Sequence, residues 1–166
     1  MRVFLAASVA IGLAMLGIVP AQAALPAKSA VKGANGQTVT VSQVNRLNPN
    51  GQVITVSGRG FNPRIGIYVA LCKTPVQGER PGPCGGGADT DGSTQASAWV
   101  SSNPPPYGRA LATPYRPGGR FTVRINIAPR IGDVDCRVTS CAIVTRADHL
   151  RSNDRSADVV IPVRFR

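Results

Sequence analysis

Arg120-Phe121-Thr122-Val123-Arg124-Ile125-Asn126-Ile127 puts an apolar side chain at every second position and a polar or charged one between. Successive side chains of a strand point to opposite faces. The run therefore predicts a β-strand with one face in a core and the other, carrying Arg120 and Arg124, in water. The same period of two recurs along the chain. Val39 and Val41 alternate with Thr40 and Ser42, and past the turn Asn48-Pro49-Asn50-Gly51 the residues Val53, Thr55 and Ser57 alternate with Ile54 and Val56. Ile65 to Cys72 is β-branched and aromatic enough for a largely buried strand; Thr94 to Ser101 reads as a strand around Trp99, and Cys141 to Thr145 as a short apolar one. Finally, Val159, Ile161, Val163 and Phe165 alternate with Val160, Pro162, Arg164 and Arg166. Pro162 has no amide hydrogen to donate, so this last strand belongs at a sheet edge.

Between the strands stand turn and loop signals: Gly58-Arg59-Gly60-Phe61-Asn62-Pro63, a Gly- and Pro-rich stretch from Thr74 to Gly92, and Asn103-Pro104-Pro105-Pro106. No segment keeps a helical period over three turns. Several short strands with regular turn signals predict an all-β sandwich.

The first residues read as an export signal. Arg2 supplies a positive start, Val3 to Val19 is almost wholly apolar, and Ala21-Gln22-Ala23 offers small residues for cleavage near Ala23. The expectation is a signal peptide at 1–23, a flexible leader at 24–36 and one domain at 37–166, secreted or held in the cell envelope, monomeric, with no membrane span in the mature chain.

Cys72, Cys84, Cys136 and Cys141 all follow the signal, and an exported chain meets an oxidising compartment. Four cysteines allow three pairings. The short loops from Cys72 to Cys84 and from Cys136 to Cys141 favour nearest-neighbour bridges. Zinc is the competing use, but there is no C-x-x-C pair and the single histidine, His149, is not set among the cysteines.

Nineteen Lys and Arg stand against eight Asp and Glu, a net charge of +11 that attracts polyanions such as DNA, acidic polymers or lipid headgroups. Arg120 and Arg124 would form a basic stripe with Arg164 and Arg166 if their strands pair. The inventory for catalysis is thin. Asp148 beside His149 is the only suggestive pair, and neighbours on an extended strand point apart, so no enzyme is expected. No phosphate loop, nucleophile elbow or nucleic-acid recognition motif is present. Trp99 and Tyr107 flank the proline run and offer stacking area for a small-molecule cleft.

Gly51-Gln52-Val53-Ile54-Thr55-Val56-Ser57-Gly58-Arg59-Gly60-Phe61, with Tyr68 and Cys72 after it, resembles the opening half of the neocarzinostatin family of enediyne antibiotic apoproteins. Asp133-Val134-Asp135-Cys136-Arg137-Val138-Thr139-Ser140-Cys141 is similar to that family's closely spaced second cysteine pair, and Asp158 to Phe165 to its closing strand. The resemblance implies a seven-stranded immunoglobulin-like sandwich with Cys72 bridged to Cys84 and Cys136 to Cys141. It further implies an antimicrobial, DNA-associated chromoprotein whose cleft shelters a non-covalent chromophore. The departures fall at the ligand. The family's tryptophan two residues after the first cysteine is Thr74 here. The aromatic-rich loop before the second pair is cut to Ala128-Pro129-Arg130-Ile131-Gly132, leaving no counterpart for the phenylalanine that stacks on the chromophore. The segment from Ala88 to Pro114 is longer and brings Trp99, Tyr107 and Tyr115. The reading is a secreted carrier of a small apolar ligand, with Thr74, Trp99, Tyr107 and Ile131 at its cleft. The alternative is an extracellular interaction protein that binds polyanions through its basic surface.

Overall fold

The computed structural model describes residues 27–86 and 93–166; the segment read as an export signal, with its expected cleavage near Ala23, lies outside the described residues. In chain order the strands are β1 (Ser29–Lys32), β2 (Thr38–Val41), β3 (Gln52–Arg59), β4 (Ile67–Lys73), β5 (Ser97–Val100), β6 (Phe121–Ile127), β7 (Arg130–Ile131), β8 (Val134–Asp135), β9 (Cys141–Ala147) and β10 (Val159–Val163). Two sheets of four strands pack as a sandwich, one in the order β1-β2-β3-β6 and the other β10-β9-β4-β5, with β7 and β8 forming a separate ribbon. Each ladder is antiparallel.

The period-two reading sorts the faces. In β6, Phe121, Val123, Ile125 and Ile127 are buried while Thr122, Arg124 and Asn126 are exposed. Together with Ile54, Val56, Val69, Leu71, Ile143 and Ile161 they form one core between the sheets. Each fully buried aliphatic side chain contributes about 1.5–3 kcal/mol relative to exposure, so this layer dominates the stability. At the open sides β1 lies against β10 and β5 against β6. β10 is an edge strand, where Pro162 leaves no ladder bond unmade.

Both disulfides are local, Cys72–Cys84 and Cys136–Cys141. The sandwich has eight strands where the resemblance implies seven. The extra one is β1, drawn from the segment read as a flexible leader: Ser29 to Lys32 pair with Val41 to Thr38 of β2. Its sequence shows no apolar run because only Val31 packs on the core; the strand is held by main-chain bonds to a neighbour.

The hairpin that leads into β6 is tight. Arg116 and Arg120 exchange backbone hydrogen bonds (2.7 and 3.1 Å) across Pro117-Gly118-Gly119, and the amides of Gly60 and Phe61 donate to the carbonyls of Gly118 and Gly119. Gly119 has φ +60°, and a Cβ there would run into the Phe61 backbone, so no other residue fits.

Candidate functional site

A sandwich spends its inner faces on the core, so any site must be built from the outer faces, the edges and the loops. The outer face of the sheet β10-β9-β4-β5 is unusual for a surface, because it is apolar. Ala70 and Cys72 of β4 and Ala142 and Val144 of β9 form a second buried cluster, separate from the core, with Cys84 and Val160 packed against it. The chain around Cys84 runs beside the end of β4, where β5 no longer reaches: the Lys73 amide donates to the Pro83 carbonyl (3.0 Å) and the Gly85 amide to that of Leu71 (2.8 Å). Cys72 and Cys84 are therefore direct cross-strand partners, and their bridge ties the segment around Cys84 to the edge of this face.

One end of the face is aromatic. Trp99 of β5 sits opposite Tyr68 of β4, with ring centres 6.0 Å apart. Tyr107, from the turn after the proline run, lies 6.4 Å from Trp99, and His149 5.3 Å from it. The two nitrogens of His149 are held by tyrosine hydroxyls, Nδ1 by Tyr68 (2.6 Å) and Nε2 by Tyr107 (2.7 Å). A neutral imidazole offers one donor and one acceptor, so one tyrosine donates to it and the other accepts. Burial raises the Tyr68 hydroxyl above the ordinary tyrosine range, reinforced by the charge of Asp148. Arg146 lies 5.8 Å over the Tyr68 ring, and desolvation lowers its guanidinium pKa.

Asp148 does not pair with His149. Its side chain is buried, accepting the Trp99 indole N–H at Oδ2 (2.9 Å) and the Leu150 amide at Oδ1 (3.0 Å). Gly66 is required beneath it, since a Cβ there would meet Oδ2. The carboxylate thus anchors the tryptophan and caps a short turn while the histidine points outward, the divergence expected of neighbours on extended chain. Among the described residues no group of His, Cys, Asp and Glu is arranged to hold a metal ion, and no helix is long and apolar enough to cross a membrane.

Of the residues read as a cleft, Trp99 and Tyr107 meet. Thr74 continues the outward row Tyr68, Ala70, Cys72 past the end of β4, about 20 Å from Tyr68 at the rise of a strand. Ile131 does not join them: it is buried in the core between the sheets. The basic stripe is also not assembled. β6 pairs with β3, at the opposite edge of the sandwich from β10, so Arg120 and Arg124 are separated from Arg164 and Arg166. The latter two pair their backbone with Val44 and Leu47 instead.

Arg120 has other company. On the outer face of β1-β2-β3-β6, Arg59, Arg116 and Arg120 line a groove of about 500 Å³ with Thr38, Thr40 and Ser57. Arg59 and Arg116 were not singled out from the sequence. The signal available there was the repeated arginine around Pro117-Gly118-Gly119 and the lack of any acidic residue before Glu79 or between 92 and 132.

The fold has a counterpart among solved structures. The structure titled macromomycin is 22% identical, with a TM-score of 0.50, over 78% of this chain and 99% of that one. At this identity the likeness is one of fold: both are sandwiches. No protein-family model and no curated protein matches the chain.

Proposed function

We propose that the chain is a secreted carrier that holds a small apolar molecule against the outer face of β10-β9-β4-β5. The observation that carries this reading is the apolar cluster outside the core, with disulfide-held Cys84 packed against it and the Trp99–Tyr107 ring pair on the same sheet face. Aromatic side chains gathered at the rim of an apolar layer that lies outside the core supply the stacking area and apolar wall that a small-molecule site uses. The sandwich likeness to macromomycin, a neocarzinostatin-family apoprotein, supports the same reading. The two disulfides fit an oxidising, extracellular setting. The antimicrobial, DNA-associated role that the sequence resemblance implies would then reside in the cargo, with the protein as its shelter; the chain itself is proposed to be no enzyme.

The test is native mass spectrometry of the oxidised protein purified from its producing organism. A mass excess that disappears on denaturation is expected. Trp99 is the only tryptophan, so its emission should change when the released molecule is added back. A bare protein whose emission is unmoved by apolar extracts of the same organism would overturn the proposal.

A further inference from the structure

The groove on the opposite sheet has the chemistry of an oxyanion site. Arg116 and Arg120 are direct partners in an antiparallel bridge, so their side chains leave the same face side by side. Like charges set opposite each other on a ladder are destabilising, and a chain normally relieves them with a carboxylate. None is at hand. The strands β1, β2, β3 and β6 and the hairpin at 116–120 contain no Asp or Glu, and none of Arg59, Arg116 and Arg120 makes an ion pair among the described residues. Arg59 ends β3 and converges on the pair, because Gly60 and Phe61 are bonded to the hairpin tip. The floor between them is hydroxylic: Thr38 and Thr40 from β2, Ser57 from β3 and Thr122 from β6, with Ser57 Oγ and Thr122 Oγ1 3.2 Å apart. Three guanidiniums, all exposed, thus face a floor of four hydroxyls with no counter-charge.

We propose that this groove binds phosphate groups. The planar fork of a guanidinium donates two parallel N–H bonds to a tetrahedral oxyanion, and the hydroxyls supply the remaining donors; an uncharged ligand would leave the arginine repulsion standing. The groove contributes no aromatic ring on which a base could stack other than Phe121, whose side chain is turned into the core. Recognition therefore stops at the phosphate and does not read a base. Arg124, one turn of the pleat further along β6 on the same outer face, extends the positive surface beyond the groove. The proposal is independent of the carrier reading, because the two sites lie on opposite sheets.

Two probes separate the sources of such a group. Pyrophosphate stands for a small phosphate compound and a short oligothymidylate for a phosphodiester chain, each titrated into the oxidised protein while backbone and arginine side-chain NMR signals are followed. Shifts confined to Thr38, Thr40, Ser57, Arg59, Arg116, Arg120 and Thr122 are expected. Saturation by pyrophosphate alone assigns a small ligand; binding of the oligonucleotide, with a salt slope of about −2 for three neutralised phosphates, assigns a chain. The double substitution R116Q/R120Q should weaken the bound probe by about tenfold or more, while R164Q/R166Q, which removes the same charge elsewhere, should leave it within twofold. Absence of groove shifts with both probes, or equal losses in the two double variants, overturns the proposal.

Discussion

The two outer faces of this sandwich are built from the same strand period yet have opposite chemistry. On β10-β9-β4-β5 the outward residues are Ala70, Cys72, Ala142 and Val144, all buried, with half-buried Tyr68 and buried Trp99 at one end. Two charges there have partners: Arg146 lies over the Tyr68 ring and Asp158 accepts from Arg155 at 2.9 Å. On β1-β2-β3-β6 the outward residues are Thr38, Thr40, Ser57 and Thr122 with Arg59, Arg120 and Arg124, and among the described residues these charges form no ion pair. An apolar face that is buried adds to stability whether or not it is filled. A basic face subtracts from it until an anion arrives. One face is thus expected to reveal itself in unfolding experiments, the other in binding.

Trp99→Ala should have the largest effect. It deletes a side chain that is 9% exposed and leaves Oδ2 of the buried Asp148 without its indole donor. A loss of about 3–5 kcal/mol is expected by urea unfolding; a loss under about 1 kcal/mol would show that the aromatic end is surface decoration. R116Q/R120Q should move the other way, gaining about 0.2–1 kcal/mol in phosphate-free buffer as the repulsion is relieved. A variant less stable than the parent there would mean that the arginines already hold a partner within the chain.

The smallest effect is one of pH, at the edge of the apolar face. Burial pushes the carboxyl of Asp158 up to about 6 despite the opposing charge of Arg155, and its buried Oδ1 has no hydrogen-bond partner among the described residues. A folded value raised above the unfolded one, about 3.9, gives a contribution that is full below the unfolded value and lost as pH rises through the folded one. The parent should therefore lose stability relative to D158N between about pH 4 and pH 7, by a fraction of the full shift because the ion pair with Arg155 offsets part of the cost of burial. A constant difference across that range would assign Asp158 an ordinary carboxyl.

Much of this was legible along the chain, and the misses have a common cause. Alternation at Phe121 to Ile127 and at Val159 to Phe165 sorted inward from outward residues, and the short cysteine spacings favoured the two local bridges. β1 was missed because a strand that borrows its stability from main-chain bonds to a neighbour carries little apolar signal of its own. Ile131 was placed in the cleft because it falls in the shortened loop, yet the ribbon of β7 and β8 turns it into the core. Trp99 and Tyr107 were noticed, but not the Asp148 carboxylate that fixes one or the His149 ring that joins the other to Tyr68.

By itself the sequence determined the class, all-β, the inward and outward residues of most strands, the favoured bridges and the excess of positive charge. These are local properties: a period of two or a loop of a few residues is set by the backbone of the segment that carries it. Which outward residues share a face is a different matter, decided by strand pairing across tens of residues. That pairing put β6 beside β3 instead of β10, took Arg120 away from Arg164 and Arg166, and brought it and its hairpin partner Arg116 to Arg59. It likewise set Trp99 against Tyr68. Only closing both sheets over one core makes that choice, because each alternative pairing satisfies the same alternation and differs in what the two sheets can bury together.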